Sequence, residues 1–85
     1  MEIKTQIRSY IAQNILFNDN GFKYEDDDSF LEEGIVDSLG IMELVLFIEE
    51  TFGLSIDDRD LTPDNFDSVN KMAHYIQNRL SAEKN

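Results

Sequence analysis

The chain has 85 residues, a net charge of −11 and no cysteine. Its length supports one modest hydrophobic core and excludes multidomain machinery, and the lack of cysteine excludes disulfides and cysteine-ligated zinc. The first residues show no basic region followed by an apolar run, and no stretch approaches the ~18 apolar residues of a membrane span. We therefore expect a single cytoplasmic domain over residues 1–85, without a membrane span.

The acidic charge is unevenly distributed along the chain. Residues 25–67 hold 15 of the 18 acidic side chains and one of the 7 basic ones. Nucleic-acid binding requires clustered Lys and Arg, so this distribution argues against nucleic acid and favours basic proteins as partners. Composition alone also fits a merely solubilising or disordered acidic stretch, and the motifs within the stretch favour a folded one.

The N-terminal segment predicts a helix followed by a long loop. Isoleucine recurs every fourth residue, which predicts a helix over residues 3 to about 16, with the stripe Ile3, Ile7, Ile11 and Ile15. The periodicity then fails from residue 18 to 37, and a loop of this length in so small a domain points to function. Ser29 followed by Glu32 predicts one capped turn. Four apolar side chains are expected to hold the loop on the core: Phe22, Phe30, Leu31 and Ile35.

The second helix is predicted to carry two apolar stripes. It begins at Asp37 or Ser38 and ends at Phe52, where Gly53 supplies the left-handed residue that stops helices. One stripe is expected to face the core: Ile41, Leu44, Val45, Ile48 and Phe52. The other, nearly opposite, is Leu39, Met42 and Leu46, bordered by Glu43, Glu49 and Glu50. Exposed apolar residues are common, but three in register predict a face for a partner with an apolar groove flanked by Arg or Lys.

Two further helices complete the predicted fold. Thr62 before Pro63 indicates the start of a short third helix, and Ser68 is a predicted cap for the last one. The core stripe of that last helix is Val69, Met72, Ala73, Ile76 and Leu80, and residues 81–85 are predicted as a frayed tail. The expected fold class is all-α: a small bundle of three principal helices plus one short helix, with a long loop between helices one and two.

Asp37 and Ser38 admit two interpretations from physical chemistry. Either residue is an ordinary helix starter, and a cap alone explains its presence. Alternatively, Ser38 carries a phosphate ester, since free N–H groups and the helix dipole stabilise an anion at a helix N-terminus. Physical chemistry permits both interpretations.

The motifs around this position resemble a known family. The run from Gly34 to Gly40, GIVDSLG, is followed by MELV at residues 42–45 and IEETFG at residues 48–53. Together they resemble the acyl carrier protein family, the phosphopantetheine-binding acyl, peptidyl and D-alanyl carriers. The resemblance implies an acyl-carrier-like bundle and a stand-alone carrier that holds acyl intermediates as thioesters on a 4′-phosphopantetheine arm, taken from coenzyme A and attached to Ser38.

The same resemblance assigns the surrounding residues and the partners. Asp37 would help the modifying transferase to hold its magnesium ion. Partner enzymes would contact a recognition face formed by Leu39, Met42, Glu43, Leu46, Glu49 and Glu50. Those partners would be a phosphopantetheinyl transferase (holo-carrier synthase), an acyl- or aminoacyl-activating ligase, and ketosynthase or acyltransferase-type enzymes, all acting on a monomer.

Two departures from the family pattern bear on the pathway. Ile35 and Val36 separate Gly34 from Asp37, where housekeeping fatty-acid carriers usually have one residue, and Gly40 stands where they usually have an acid. Both features resemble D-alanyl carriers, peptidyl carriers and specialised stand-alone acyl carriers, so the resemblance implies specialised or secondary biosynthesis over central fatty-acid synthesis. A D-alanyl or aminoacyl/peptidyl carrier is the alternative.

Other classes of function are disfavoured by the residues. The one histidine, His74, is far in sequence from Ser38, and the Gly-x-Ser-x-Gly spacing of a nucleophile elbow is missing, so we expect no enzyme activity and no catalytic residues. The acidic runs at residues 26–28 and 57–60 lack the ligand spacing of a calcium loop, so no metal site is expected. An acidic helical adaptor without a prosthetic group remains an alternative, which the modification state would separate from a carrier.

Overall fold

The computed structural model describes residues 2–83, which form a small helical bundle without strands. Helix α1 spans Ile3–Tyr10 and continues as a π-helical turn over Ile11–Ile15. Helix α2 spans Ser38–Phe52, a 3₁₀ turn covers Asp58–Asp60, α3 spans Pro63–Phe66 and α4 spans Val69–Glu83. The predicted all-α class is confirmed. Within residues 2–83, no helix is both long and apolar enough to cross a membrane.

The core forms where the predicted stripes of α1, α2 and α4 meet. Ile7 and Ile11 of the first helical segment are fully buried, which confirms its isoleucine stripe. They join the buried members of the other two stripes: Leu44, Val45, Ile48, Val69, Met72, Ala73 and Ile76. Residues at the ends of the stripes pack partly buried against this cluster: Ile3, Ile15, Ile41, Phe52 and Leu80. The three principal helices therefore share one apolar core, which fixes the orientation of α2.

The helix ends follow the predicted caps with one exception. Asp37 precedes α2 and Gly53 ends it at a φ of 69°, while Ser68 Oγ accepts a hydrogen bond from the Lys71 N–H at 3.1 Å. Thr62 occupies the N-cap position of α3, but its side chain makes no capping hydrogen bond. Pro63 supplies the start instead, because its fixed φ suits the first helical position and it has no N–H to satisfy.

The long loop is tied to the helices on both sides. Arg8 of α1 forms a bidentate ion pair with Asp26, with Nε–Oδ1 and Nη2–Oδ2 distances of 2.7 and 2.6 Å. Asn70 of α4 donates its N–H to the Asp26 carbonyl at 3.0 Å, and its side-chain amide donates to Asp27. As predicted, the loop also packs on the core through buried Phe30 and Ile35 and partly buried Phe22.

Two helix ends differ from the sequence-based expectation. The tail prediction is wrong for residues 81–83, because α4 continues to Glu83, and residues 84–85 lie outside the described part. Ala82 and Glu83 are good helix formers, and neither glycine nor proline interrupts this stretch. The first helix has its predicted length but widens in its last turn, where the Leu16 N–H donates to the Ile11 carbonyl at 2.8 Å.

Candidate prosthetic-group attachment site

Ser38 is the first helical residue of α2 and is exposed to solvent. The preceding Asp37 is extended, and its Oδ1 accepts a hydrogen bond from the Gly40 N–H at 2.8 Å. This cap directs the 15-residue helix away from the loop and leaves the serine at its positive end. Asp37 therefore caps α2 directly before Ser38, in the order in which the sequence places the two residues.

This arrangement fits a phosphate ester on Ser38. The first N–H groups of a helix have no intrahelical acceptor, and the helix dipole favours negative charge at this end. Exposure leaves the serine reachable by a modifying enzyme. The cap uses only Oδ1 of Asp37, so the carboxylate is positioned beside Ser38 with its second oxygen outside that hydrogen bond.

An apolar groove opens next to Ser38, and sequence analysis did not predict it. Its volume is about 250 Å³. The groove is formed by α2, α3 and the long loop, and its lining besides Ser38 is Leu31, Ile41, Met42, Leu61, Thr62, Pro63, Phe66 and Asp67. Leu31 is 45% exposed, so the prediction that it packs in the core is wrong. It lines the groove instead, because the turn after Phe30 directs it away from the core.

Asp67 holds the loop wall of this groove. Its Oδ2 accepts the Ser29 hydroxyl, its Oδ1 accepts the Leu31 N–H at 3.1 Å, and its carbonyl accepts the Phe30 N–H at 2.9 Å. Ser29 Oγ in turn accepts the Glu32 N–H at 3.1 Å, which confirms the predicted turn. The sequence offered little signal for this role, since an Asp before a helix start looks like an ordinary capping residue.

A second hydrogen-bond network fixes the α2–α3 connection, which also supplies groove residues. Arg79 of α4 donates from Nη2 to the Ser55 carbonyl and from Nη1 to the Tyr75 hydroxyl, both at 2.8 Å. Tyr75 donates to Asp60 Oδ2 at 2.7 Å. Burial and this hydrogen bond to Asp60 raise the pKa of Tyr75, which extends to higher pH the range in which the phenol is protonated and donates to Asp60. Because Asp60 is held in this way, Leu61, which follows it in the chain, is positioned in the groove lining.

The predicted recognition face is exposed on α2. Leu39, Met42 and Leu46 are 77%, 47% and 57% exposed, and Glu43 and Glu50 beside them are also exposed. The second apolar stripe thus points away from the core, as its spacing predicted. Its contact with partner enzymes stays a prediction.

Glu49 differs from the other residues of this face because it has a structural contact. It is half-buried, and its Oε2 accepts the Ile56 N–H at 2.9 Å. Its carbonyl also accepts the N–H groups of Gly53 and Leu54 at the end of α2. Glu49 therefore holds residues 53–56 against the C-terminal end of α2. Its position on the acidic border did not indicate this structural role.

The two departures from the family pattern are neighbours in space. Gly40 is buried, and a Cβ added there would lie 2.5 Å from Val36 Cγ1. Val36 is one of the two residues between Gly34 and Asp37 and is itself buried. A side chain at residue 40 would therefore require Val36 to move. The two-residue spacing between Gly34 and Asp37, which includes Val36, is thus sterically compatible with glycine at residue 40.

His74 lies apart from the groove. It is exposed on α4 and borders a shallow depression with Lys4, Asn70 and Gln77. Among the described residues, no histidine lines the groove beside Ser38. His74 is therefore not placed to act on Ser38.

Comparison with known proteins identifies the family of the chain. The family described as "Phosphopantetheine attachment site" matches residues 5–76. The chain is 28% identical over 80 residues to a D-alanyl carrier protein of Abiotrophia defectiva, covering 94% of this chain and 99% of the relative. It is 32% identical over 77 residues to an acyl carrier protein of Buchnera aphidicola, covering 91% and 92%. It is also 32% identical over 76 residues to aminoacyl carrier protein 2 of Bradyrhizobium diazoefficiens, covering 89% and 80%. The chain therefore belongs to the phosphopantetheine-binding carrier proteins, the acyl carrier protein family, whose domain carries covalent 4′-phosphopantetheine and is not an enzyme.

Proposed function

We propose that Ser38 carries the 4′-phosphopantetheine arm and that this protein delivers acyl groups as thioesters to partner enzymes. The observation that carries the proposal is the exposed Ser38 at the N-terminus of α2, beside an apolar groove and inside the matched region. The arm supplies a terminal thiol, which this chain, without cysteine, has no side chain to provide. Residues 1–85 would act as one carrier domain in the cytoplasm.

Attachment requires one group transfer at Ser38. Its Oγ forms a bond to the β-phosphorus of coenzyme A, the bond from that phosphorus to the oxygen of 3′,5′-adenosine diphosphate breaks, and the serine proton passes to a base of the transferase. Asp37 would contribute its carboxylate to the magnesium ion of that enzyme. The N–H groups of Ser38 and Leu39, which lie outside the Gly40–Asp37 capping hydrogen bond, would then stabilise the resulting phosphodiester.

The experiment is loading with coenzyme A, magnesium and a broad-specificity phosphopantetheinyl transferase, followed by intact mass spectrometry. We expect one phosphopantetheinyl group on the wild type and none on Ser38→Ala. Ser55→Ala removes another exposed serine and is the matched control, which should load like the wild type. A wild type without added mass, or a Ser38→Ala variant with it, would contradict the proposal.

The recognition face of α2 would bind the transferase and the enzymes that load and receive the cargo. Its exposed Leu39, Met42 and Leu46 offer apolar contact, and the acids beside them suit an apolar groove rimmed by Arg or Lys. An acyl- or aminoacyl-activating ligase would load the arm, and ketosynthase or acyltransferase-type enzymes would accept the cargo. We place these reactions in specialised or secondary biosynthesis because of the Val36 and Gly40 departures.

An aminoacyl cargo is the second candidate. It is favoured by relatives named D-alanyl carrier protein and aminoacyl carrier protein 2. Mass spectrometry of the protein from its native host separates the two, since a thioester-bound amino acid carries a free amine and a fatty or polyketide acyl group does not. A protein without any phosphopantetheine in its host would favour the acidic adaptor instead.

A further inference from the structure

Phe17, at the end of the first helical segment, combines two unfavourable features. Its side chain is 80% exposed, the largest exposed fraction among the large apolar residues of the described chain. Its φ is +52°, and no other non-glycine residue of residues 2–83 has a positive φ. A side chain with a Cβ is strained in this left-handed conformation, and an exposed aromatic ring gives up its hydrophobic stabilisation.

The conformation of Phe17 has a structural reason, but the choice of residue does not. The left-handed residue ends the helix, and the following Asn18 N–H returns to the Ala12 carbonyl at 2.7 Å. Helix ends of this kind usually carry glycine or asparagine, which enter the left-handed region at low cost. Nothing in the fold requires a phenylalanine at this position.

Two observations place the end of the first helical segment, which Phe17 follows, beside the N-terminal end of α2. Tyr10 stacks on Phe47 with ring centroids 4.2 Å apart, and a Cβ on Gly40 would lie 3.7 Å from Ile15 Cγ2. The first helical segment and α2 therefore run antiparallel. Phe17, which follows the segment, thus lies at the end of the bundle that carries Ser38.

The same observations place the end of α1 along the border of the recognition face. Gly40 and Phe47 are seven residues apart and share one side of α2. Leu39 and Leu46 each precede one of these two residues, so their side chains lie about 100° around the helix axis from the side that faces the first helical segment. The surface near Phe17 thus adjoins the recognition face of α2 on the side where Glu43 and Glu50 border the apolar stripe.

We infer that Phe17 is an additional binding anchor for the transferase that modifies Ser38, extending the recognition face across α1. The inference rests on the proposed function. An enzyme acting on Ser38 Oγ must cover this end of the bundle, and a specific interface buries about 800 Å² on each partner, equivalent to a disc of roughly 16 Å radius. An exposed aromatic ring within such a contact is a typical hot spot, and its burial by the enzyme would offset the cost of its conformation.

The test measures steady-state loading by a broad-specificity phosphopantetheinyl transferase with coenzyme A and magnesium. Phe17→Asn removes the ring and keeps a residue that tolerates a positive φ. We expect its KM for the carrier to rise about tenfold, as for loss of one interface hot spot. We expect kcat to stay unchanged, because Phe17 lies outside the reacting atoms, and the melting temperature not to fall. Phe17→Leu, which keeps an apolar side chain, should restore part of the lost affinity.

Tyr24→Ser is the matched control. It removes a 45% exposed ring from a loop segment that Asp26 ties to Arg8 and Asn70, on the α1–α4 side of the bundle. A KM for Phe17→Asn equal to that of the wild type, or an equal rise in Tyr24→Ser, would overturn the inference. So would a loss of helicity in Phe17→Asn, which would make Phe17 structural. A wild type that is not loaded at all would instead refute the proposed function.

Discussion

At the scale of single residues, the acidic side chains of the long loop serve different purposes. Asp26 pairs with Arg8, Asp27 accepts from Asn70, and Asp28 Oδ2 accepts the Glu25 N–H at 3.0 Å. The hydrogen bonds from the Arg8 guanidinium lower the pKa of Asp26, against the opposing effect of its partial burial. Consecutive aspartates that look alike in the sequence are therefore distinct in the fold.

Arg8→Gln is expected to destabilise the protein in a pH-dependent way. The folded pKa of Asp26 is below its unfolded value of 3.8, so the ion pair contributes its full stability above that value. Its contribution is lost as the pH falls through the folded pKa. For a pair about one-third exposed we expect a deficit of about 0.5–1 kcal/mol at neutral pH, shrinking towards pH 3. Urea unfolding at several pH values measures it.

The control for this prediction is Arg59→Gln. Arg59 also pairs with an aspartate, Asp57, but its side chain is almost fully exposed, so solvent screens the interaction and little effect is expected. A deficit of Arg8→Gln that stays constant from pH 7 to 3 would contradict the assignment to Asp26.

At the scale of elements, α2 combines a core face with the predicted recognition face. The glutamates on the acidic border of that face differ in their contacts. Glu49 is held by the Ile56 N–H, whereas Glu50 is exposed one residue further along the helix. The helical period placed both on the predicted face. Only the return of the chain after Gly53 distinguishes the structural glutamate from the exposed one.

Glu49→Lys and Glu50→Lys form a matched pair of charge reversals. Both should weaken binding to basic partner enzymes, seen as a higher KM for the carrier in transferase loading. Only Glu49→Lys should also lower the free energy of unfolding, by about 1–2 kcal/mol, because the Ile56 N–H loses its acceptor. Equal unfolding midpoints in urea would show that the Glu49 hydrogen bond contributes nothing to stability.

At the scale of the whole molecule, repulsion between like charges opposes folding. The chain carries 18 acidic and 7 basic side chains. Residues 25–67, from the long loop through α2 and α3, hold 15 of the acidic side chains, with Arg59 as their one basic residue.

The melting temperature should therefore rise with ionic strength. Raising salt from about 0.01 M to about 1 M shortens the Debye length from about 30 Å to about 3 Å, which screens repulsion between separated carboxylates. Millimolar magnesium should act in the same direction at lower ionic strength. Differential scanning calorimetry in sodium chloride and in magnesium chloride measures both effects, and a melting temperature independent of salt would show that repulsion is not a significant destabilising factor.

Local patterns in the sequence were enough to define the helices, their core stripes and the position of Ser38. Helical periodicity and caps depend on residues within about four positions of each other. The roles of Asp37, Gly53 and Ser68 at the helix ends therefore follow from their immediate neighbours in the chain. The exposed stripe of α2 followed from the same periodicity, because two opposite faces of one helix cannot share a single core.

The surroundings of Ser38, by contrast, depend on contacts between segments that are distant in the chain. The groove requires Asp67 to hold Ser29 and Leu31, which are 38 and 36 positions away in sequence. The close approach of Val36 to Gly40 depends on how the loop packs against α2, and the position of Phe17 depends on how α1 crosses it. Such contacts leave no periodic signal, because they depend on tertiary packing and on which polar groups must find partners once water is excluded.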